Sequence, residues 1–260
     1  MTGKASNDPV TSPAGTTRAG GNETGAVVGL LLAAGGGRRL GGRPKALLRH
    51  RGRPLVEHAT QVLRAGGCAR VHVVLGAAAA RVRREAVLPG CVLVDNPAWE
   101  EGMGSSLRAG LASLTGTHVT TDHGTTDHGT TDHGTATGAA PTGEPPSGAG
   151  SIAGYADAPG AVLVLLVDQP GIGTAAVARV RAAYDSPASL VAAAYGGRRG
   201  HPVLFGADHW AGVAASARGD RGARAYLAAH ADALTLVECA DVAEAYDIDT
   251  VADLSRLMPD

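Results

Sequence analysis

Lysine is nearly absent from this chain. Of 23 basic residues in 260, only Lys4 and Lys45 are lysine. Aromatic residues make up 3% of the chain, too few to interleave a basic surface with the stacking platforms that single-stranded nucleic acid needs. Net charge is small as well, −1, so no global field favours nucleic acid or an anionic membrane. The three cysteines, Cys68, Cys91 and Cys239, are odd in number and form no CxxC pair; they read as reduced, mostly buried thiols of a cytoplasmic protein. No apolar run reaches membrane-spanning length, and residues 1–25 lack the apolar core of a signal peptide.

What is present divides unevenly. Residues 1–25 are rich in Gly, Thr, Ser, Asn and Pro and read as a disordered tail with nothing to bury. A second such stretch, 115–159, carries TDHGT three times in succession from Thr121 to Thr135. A five-residue period fits neither helix nor strand, so it reads as a flexible insertion in a surface loop. Its His118, His123, His128 and His133 are possible loose metal ligands, but a disordered tract fixes no coordination geometry, and a solvated linker is the favoured reading.

Elsewhere apolar runs alternate with helical periodicity. Strands are expected at 27–33, 71–75, 91–94, 162–167, 190–195, 202–205 and 234–238, several of them apolar at every position. That pattern marks strands covered on both faces, hence a mostly parallel sheet between helix layers. Residues 54–65 and 105–114 have helical spacing, the second with Ser105 as a candidate N-cap. A last helix is expected to open at Thr250, with Asp253 completing a capping box. The expectation is a three-layer α/β/α domain over 26–258, interrupted at 115–159.

The glycine-rich loop LLLAAGGGRRLGGRPKALL follows the first strand. It is not a P-loop, because Pro44 and Ala46 flank Lys45, and Leu40 stands where a dinucleotide fingerprint needs its third glycine. Consecutive glycines let backbone N–H groups turn toward phosphate oxygens. Arg39 and Lys45 add positive charge, and lysine's flexible stem suits a phosphoryl group whose charge moves during reaction. Six arginines accompany Lys45 over 38–53. Without aromatics among them, a mononucleotide site is favoured over nucleic acid.

The stretch Leu32–Lys45, of pattern L-A-A-G-x-G-x-R-L-G-x-x-x-K, resembles the signature of nucleotidyltransferases with the MobA-like fold. NPAWEEGMGSSLRAGL (96–111), VDQPGI (167–172), GHPVLF (200–205), GDRGAR (219–224) and DIDTVADL (247–254) follow in order. Together they resemble the molybdenum cofactor cytidylyltransferase branch. The resemblance implies a Rossmann-like sheet of the nucleotide-diphospho-sugar transferase type, CTP as nucleotide substrate, Mg²⁺ as cofactor and a molybdopterin-type acceptor. A recipient molybdoenzyme or its accessory protein is a further possible partner.

Several residues acquire roles through the resemblance. Ala33, Ala34, Gly35, Gly36 and Gly37 would cradle the nucleotide, with Ala34 at the position that separates cytidine- from guanosine-selective loops. Asn96, Gly102, Ser105 and Ser106 would lie against it. Lys45, Arg39 and Asp168 would act on the phosphates. Asp168, at the end of an apolar strand, is the leading metal ligand and Asp249 the second, although acidic residues at a helix start are also favoured by the dipole alone. His201, Asp220 and Arg224 would face the acceptor, although a lone histidine is more often a hydrogen-bonded turn or core residue and Asp220 equally reads as an N-cap. Guanylyl transfer, transfer to a sugar or alditol phosphate, and a non-catalytic cofactor carrier are the competing readings.

Overall fold

The computed structural model describes residues 25–115 and 158–257. The expected tail and insertion, with their four histidines, lie outside the described residues apart from the flanking positions.

In chain order the elements are β1 (Val27–Ala33), the two-residue strands β2 (Arg49–His50) and β3 (Arg53–Pro54), α1 (Leu55–Ala65), β4 (Val71–Leu75), α2 (Ala79–Glu85), β5 (Cys91–Asp95), α3 (Met103–Leu114), β6 (Ala161–Leu166), α4 (Thr174–Ala182), β7 (Leu190–Tyr195), β8 (Arg198–Gly206), α5 (Trp210–Ser216), α6 (Arg224–Ala229) and β9 (Leu234–Glu238). Seven strands form one sheet in the order β5-β4-β1-β6-β8-β7-β9. All neighbours are parallel except β8, which runs antiparallel to both β6 and β7. Among the described residues no helix is long and apolar enough to cross a membrane.

Alternation along β1 divides the core. Val27, Leu31 and Ala33 pack with Leu55, Ala59 and Leu63 of α1 and with Val177 and Val180 of α4. Val28, Leu30, Leu32 and Ala34 pack on the opposite face with Leu107, Leu111 and Leu114 of α3, Val213 of α5 and Leu227 of α6. The sheet is therefore covered on both sides, which accounts for the unbroken apolar runs. Burying each such Leu or Val stabilises the fold by roughly 1.5–3 kcal/mol.

Three local expectations are corrected. Helix α3 begins at Met103 with Gly102 as its N-cap. Ser105 lies inside the first turn, where its hydroxyl donates to the Gly102 carbonyl at 2.8 Å. The run at 202–205 is the second half of a longer strand, joined to β7 through Gly196–Gly197, both with positive φ. This two-residue Gly-Gly connection turns the chain back on itself and makes β8 antiparallel. After Thr250 a short 3₁₀ turn, Ala252–Arg256, replaces the expected helix. Asp253 still accepts from the Thr250 N–H and hydroxyl, both at 2.8 Å, the half of a capping box that a single turn can close.

Candidate active site

At the carboxyl end of β1 the chain leaves the sheet through Ala34–Gly37. Gly37 has φ 63°, and a Cβ there would run into the Arg43 carbonyl, so the turn requires glycine. Its carbonyl accepts from the N–H groups of Leu40 (2.8 Å) and Gly42 (3.1 Å). Leu40 and Ala46 are buried and pin the two 3₁₀ turns Arg38–Leu40 and Lys45–Leu47. Between these anchors, Arg38, Arg39 and Lys45 face a cleft of 540 Å³.

Lys45 crosses this cleft. Its Nζ lies 2.6 Å from Asp168 Oδ2 and 2.5 Å from Asp249 Oδ1. Asp168 follows β6 at the carboxyl rim, and its carbonyl accepts from the Ile248 N–H at 2.9 Å, tying the two aspartate-bearing segments together. Asp253 accepts from the Asp249 N–H at 3.1 Å. Burial works against the Lys45 ammonium, but the two carboxylates outweigh it and hold its pKa above the ordinary value. Burial pushes the Asp168 carboxyl up, and Lys45 pulls it only part of the way back. Asp168 Oδ1 is buried with no hydrogen-bond partner. An orphaned carboxylate oxygen beside a second carboxylate is an all-oxygen donor set of the kind a hard divalent cation takes. Asp168 and Asp249 therefore fit Mg²⁺ or Mn²⁺.

The remaining predicted residues fall into three groups. Ala34, Gly35, Gly36, Gly37, Gly102, Ser106, Asp220 and Arg224 line the cleft. Ala33, Asn96 and Ser105 do not, which corrects the expectation of direct contact. Ala33 points into the core on the opposite face of the sheet. Asn96 is buried behind the wall, where its Nδ2 donates to Ser105 Oγ (2.9 Å) and Ser106 Oγ (3.0 Å). It positions the start of α3, and Ser106 alone of the three reaches the cleft.

His201 stands in a second cavity of 400 Å³, where burial first of all lowers its pKa to about 4 and keeps the ring neutral at pH 7. The floor of this cavity is apolar, formed by Leu107, Val164, Val203, Phe205 and Leu227, and Arg198, Arg199, Arg221 and Arg224 stand around it. Leu32, Met103, Leu166, Arg224 and Asp247 line both cavities. Sequence reasoning gave no role to Trp99 or Asp247. Trp99 packs over Gly36 in the cleft wall. Asp247 accepts from Gln169 Nε2 at 2.7 Å. The first is one of two tryptophans in the chain, and the second precedes Asp249 by two residues. Both stood inside quoted motifs.

Comparison with known proteins agrees with this fold. The family model described as the MobA-like NTP transferase domain matches residues 29–234, from β1 to the first residue of β9. The chain belongs to the MobA-like NTP transferase family. A relative within reach of sequence alignment is the nicotine blue oxidoreductase of Paenarthrobacter nicotinovorans, 35% identical over 240 residues, covering 89% of this chain and 96% of that protein. Similar solved structures include a Mycobacterium sp. strain JC1 homologue of the Mycobacterium tuberculosis protein Rv0371c, with TM-score 0.64, 24% identity and coverage of 89% of this chain and 94% of that one. Rv0371c in complex with manganese has TM-score 0.62 at 22% identity, covering 90% and 98%. A nucleotidyl transferase from Methanothermobacter has TM-score 0.62 at 18% identity, covering 89% and 95%. At these identities the structures establish the fold, a nucleotidyltransferase-type sheet.

Proposed function

We propose that this family member is a cytoplasmic, Mg²⁺-dependent cytidylyltransferase that transfers CMP from CTP to the terminal phosphate of a molybdopterin-type cofactor and releases pyrophosphate. The observation that carries the reading is the convergence of Lys45, Asp168 and Asp249 beside the glycine loop. A triphosphate needs a cradle of backbone donors, cationic side chains and carboxylates to hold its metal ion; these residues supply all three.

The chain's own residues divide the work. N–H groups of the 35–37 loop, with Arg38 and Arg39, orient the triphosphate. Lys45 follows the negative charge that builds on the α-phosphoryl oxygens and the departing pyrophosphate. Asp168 and Asp249 would hold Mg²⁺, which supplies further charge neutralisation at the phosphates. An acceptor phosphate oxygen forms the new bond to the α-phosphorus as the bond to the bridging oxygen of pyrophosphate breaks. That oxygen is already ionised at pH 7, so no strong general base is required. Positioning and electrostatics carry the catalysis.

The second cavity supports an acceptor with a ring and a phosphate. Its apolar floor suits a flat ring better than a polyol, and the arginines suit a phosphate. Neutral His201 serves there as a hydrogen-bond partner and not as a charge. The choice of CTP over GTP rests on Ala34, which lines the first cavity and whose methyl group takes space that a glycine would leave to a larger base.

The oxidoreductase at 35% identity favours one second reading, in which the first cavity takes a nucleotide-borne reductant and the second the molecule it reduces. Hydride transfer gives the Lys45–Asp168–Asp249 constellation no task, so transfer of a nucleotidyl group is preferred. Thermal protection by CTP, GTP and NADPH, with and without Mg²⁺, separates the readings. CTP with Mg²⁺ at about 100 times Kd is expected to add ~2.7 kcal/mol, with pyrophosphate released once the acceptor is present. Protection by GTP in place of CTP would move the assignment to guanylyl transfer, and metal-independent protection by NADPH alone would replace the transferase reading with the redox one.

A further inference from the structure

Where two carboxylates converge on the first cavity, the structure places an ammonium. Lys45 Nζ is within hydrogen-bond distance of both Asp168 and Asp249, at 2.6 and 2.5 Å, and only 15% of the Lys45 side chain is exposed. Arg38 and Arg39 line the same cavity and have no hydrogen-bond partner among the described residues. Among the described residues the side chains of these two arginines are unpaired, while the lysine is engaged with the carboxylates suited to a metal. Lysine at this position, in a chain with 21 arginines, fits a charge that must change partners. An ammonium on a four-carbon stem re-aims easily, whereas a guanidinium paired with carboxylates is held by its planar fork.

We propose that Lys45 is a resident counter-ion that holds the divalent cation off until the nucleotide arrives. The proposal rests on the nucleotidyl-transfer reading for the identity of the incoming phosphates. Two carboxylates and one ammonium sum to a charge of about −1. A dication added with the ammonium in place would sit beside a like charge at short range, in a part-buried site that screens less than bulk water. The triphosphate removes the conflict by offering oxygens to the ammonium, which leaves Asp168 and Asp249 to the metal. Asp168 Oδ1, buried and unpartnered, gains its partner in the same step. Metal ion and nucleotide then strengthen each other's binding by the same factor, as linkage requires.

The test is Mn²⁺ binding, read from the loss of the free-ion electron paramagnetic resonance signal, for wild type and Lys45→Met, first alone and then with CTP. Without nucleotide the variant is expected to bind Mn²⁺ about tenfold or more tightly than wild type, and CTP should improve Mn²⁺ binding to wild type by the larger factor. Equal Mn²⁺ affinity of the two proteins without nucleotide overturns the proposal. Because Lys45→Met leaves two carboxylates uncompensated and is expected to lose stability, a second measurement uses wild type alone. Labelling with ¹³C-lysine gives two side-chain spin systems, Lys4 and Lys45. Mg²⁺ alone should leave the Lys45 Cε resonance in place, and Mg²⁺ with CTP should shift it. Displacement by Mg²⁺ alone overturns the proposal. If CTP neither shifts Lys45 nor tightens Mn²⁺ binding, the nucleotidyl-transfer reading fails, while the metal-only comparison still decides the role of Lys45.

Discussion

The two cavities share five wall residues but are built by opposite means. The first is held by contacts already made: Lys45 on two aspartates, Gly37 on its own turn, and Asn96 behind the start of α3. The second is an apolar floor with four arginines whose side chains have no hydrogen-bond partner among the described residues. A pre-assembled polar site suits a ligand common to a whole family, since phosphates always present the same oxygens. An apolar floor with uncommitted cations selects by shape and leaves its charges for whatever anion enters. On the proposed function, the first cavity serves the reaction and the second the acceptor, and each is built from both halves of the chain.

Asp168→Asn strikes the first cavity directly and has the largest expected effect, a loss of about 10³-fold or more in pyrophosphate release with the fold retained. Activity within tenfold of wild type would detach the first cavity from the chemistry. Phe205→Ala opens the floor of the second cavity. Phe205 is 1% exposed, and its truncation is expected to cost about 3–5 kcal/mol in urea unfolding, while CTP still protects the remaining folded protein.

Acid tests two histidines that burial holds neutral, one in the second cavity and one away from both. His72, in β4 behind α3, and His201, in the second cavity, are both lowered to about 4 by burial. The unfolded chain takes up their protons first, so stability is full above about pH 6.5 and declines as pH falls toward 4. For His72, 1% exposed, the loss amounts to about 3 kcal/mol, and a denaturation series in His72→Gln should show a shallower decline over that window. Arg199→Ala is expected to raise the KM for the acceptor about tenfold and leave CTP binding unchanged; an equal effect on both ligands would erase the distinction between the cavities. Removing the three TDHGT copies should alter CTP binding less than about twofold.

How far each cavity was legible follows from how its residues are spread. The first draws its loop from one contiguous stretch, 34–45, where the glycine spacing and the single lysine stand out. The second takes single residues from α3, β6, β8, the 221–227 segment and 245–247, and no periodicity gathers these. Asp249 was visible as an acidic residue at a turn, but its pairing with Lys45, 204 residues away, is a product of tertiary structure alone. Ser105 looked like a cap because serine favours that position. Gly102 holds it instead with φ 98°, and a side chain there would meet Asp220. The Gly-Gly hairpin of β7 and β8 was written in the sequence and was missed in favour of a separate strand.

Helix α3 starts at the first cavity with Met103 and Ser106. It runs back so that Ser113, near its end, hydrogen-bonds His72, the second residue of β4, at 2.8 Å. Thr115, the residue after α3, and Ala161, which opens β6, therefore stand on the rim opposite to both cavities. That rim is a service entrance. A fluorophore, an affinity handle or a tethering domain spliced between α3 and β6 would join the fold at that rim, behind both cavities.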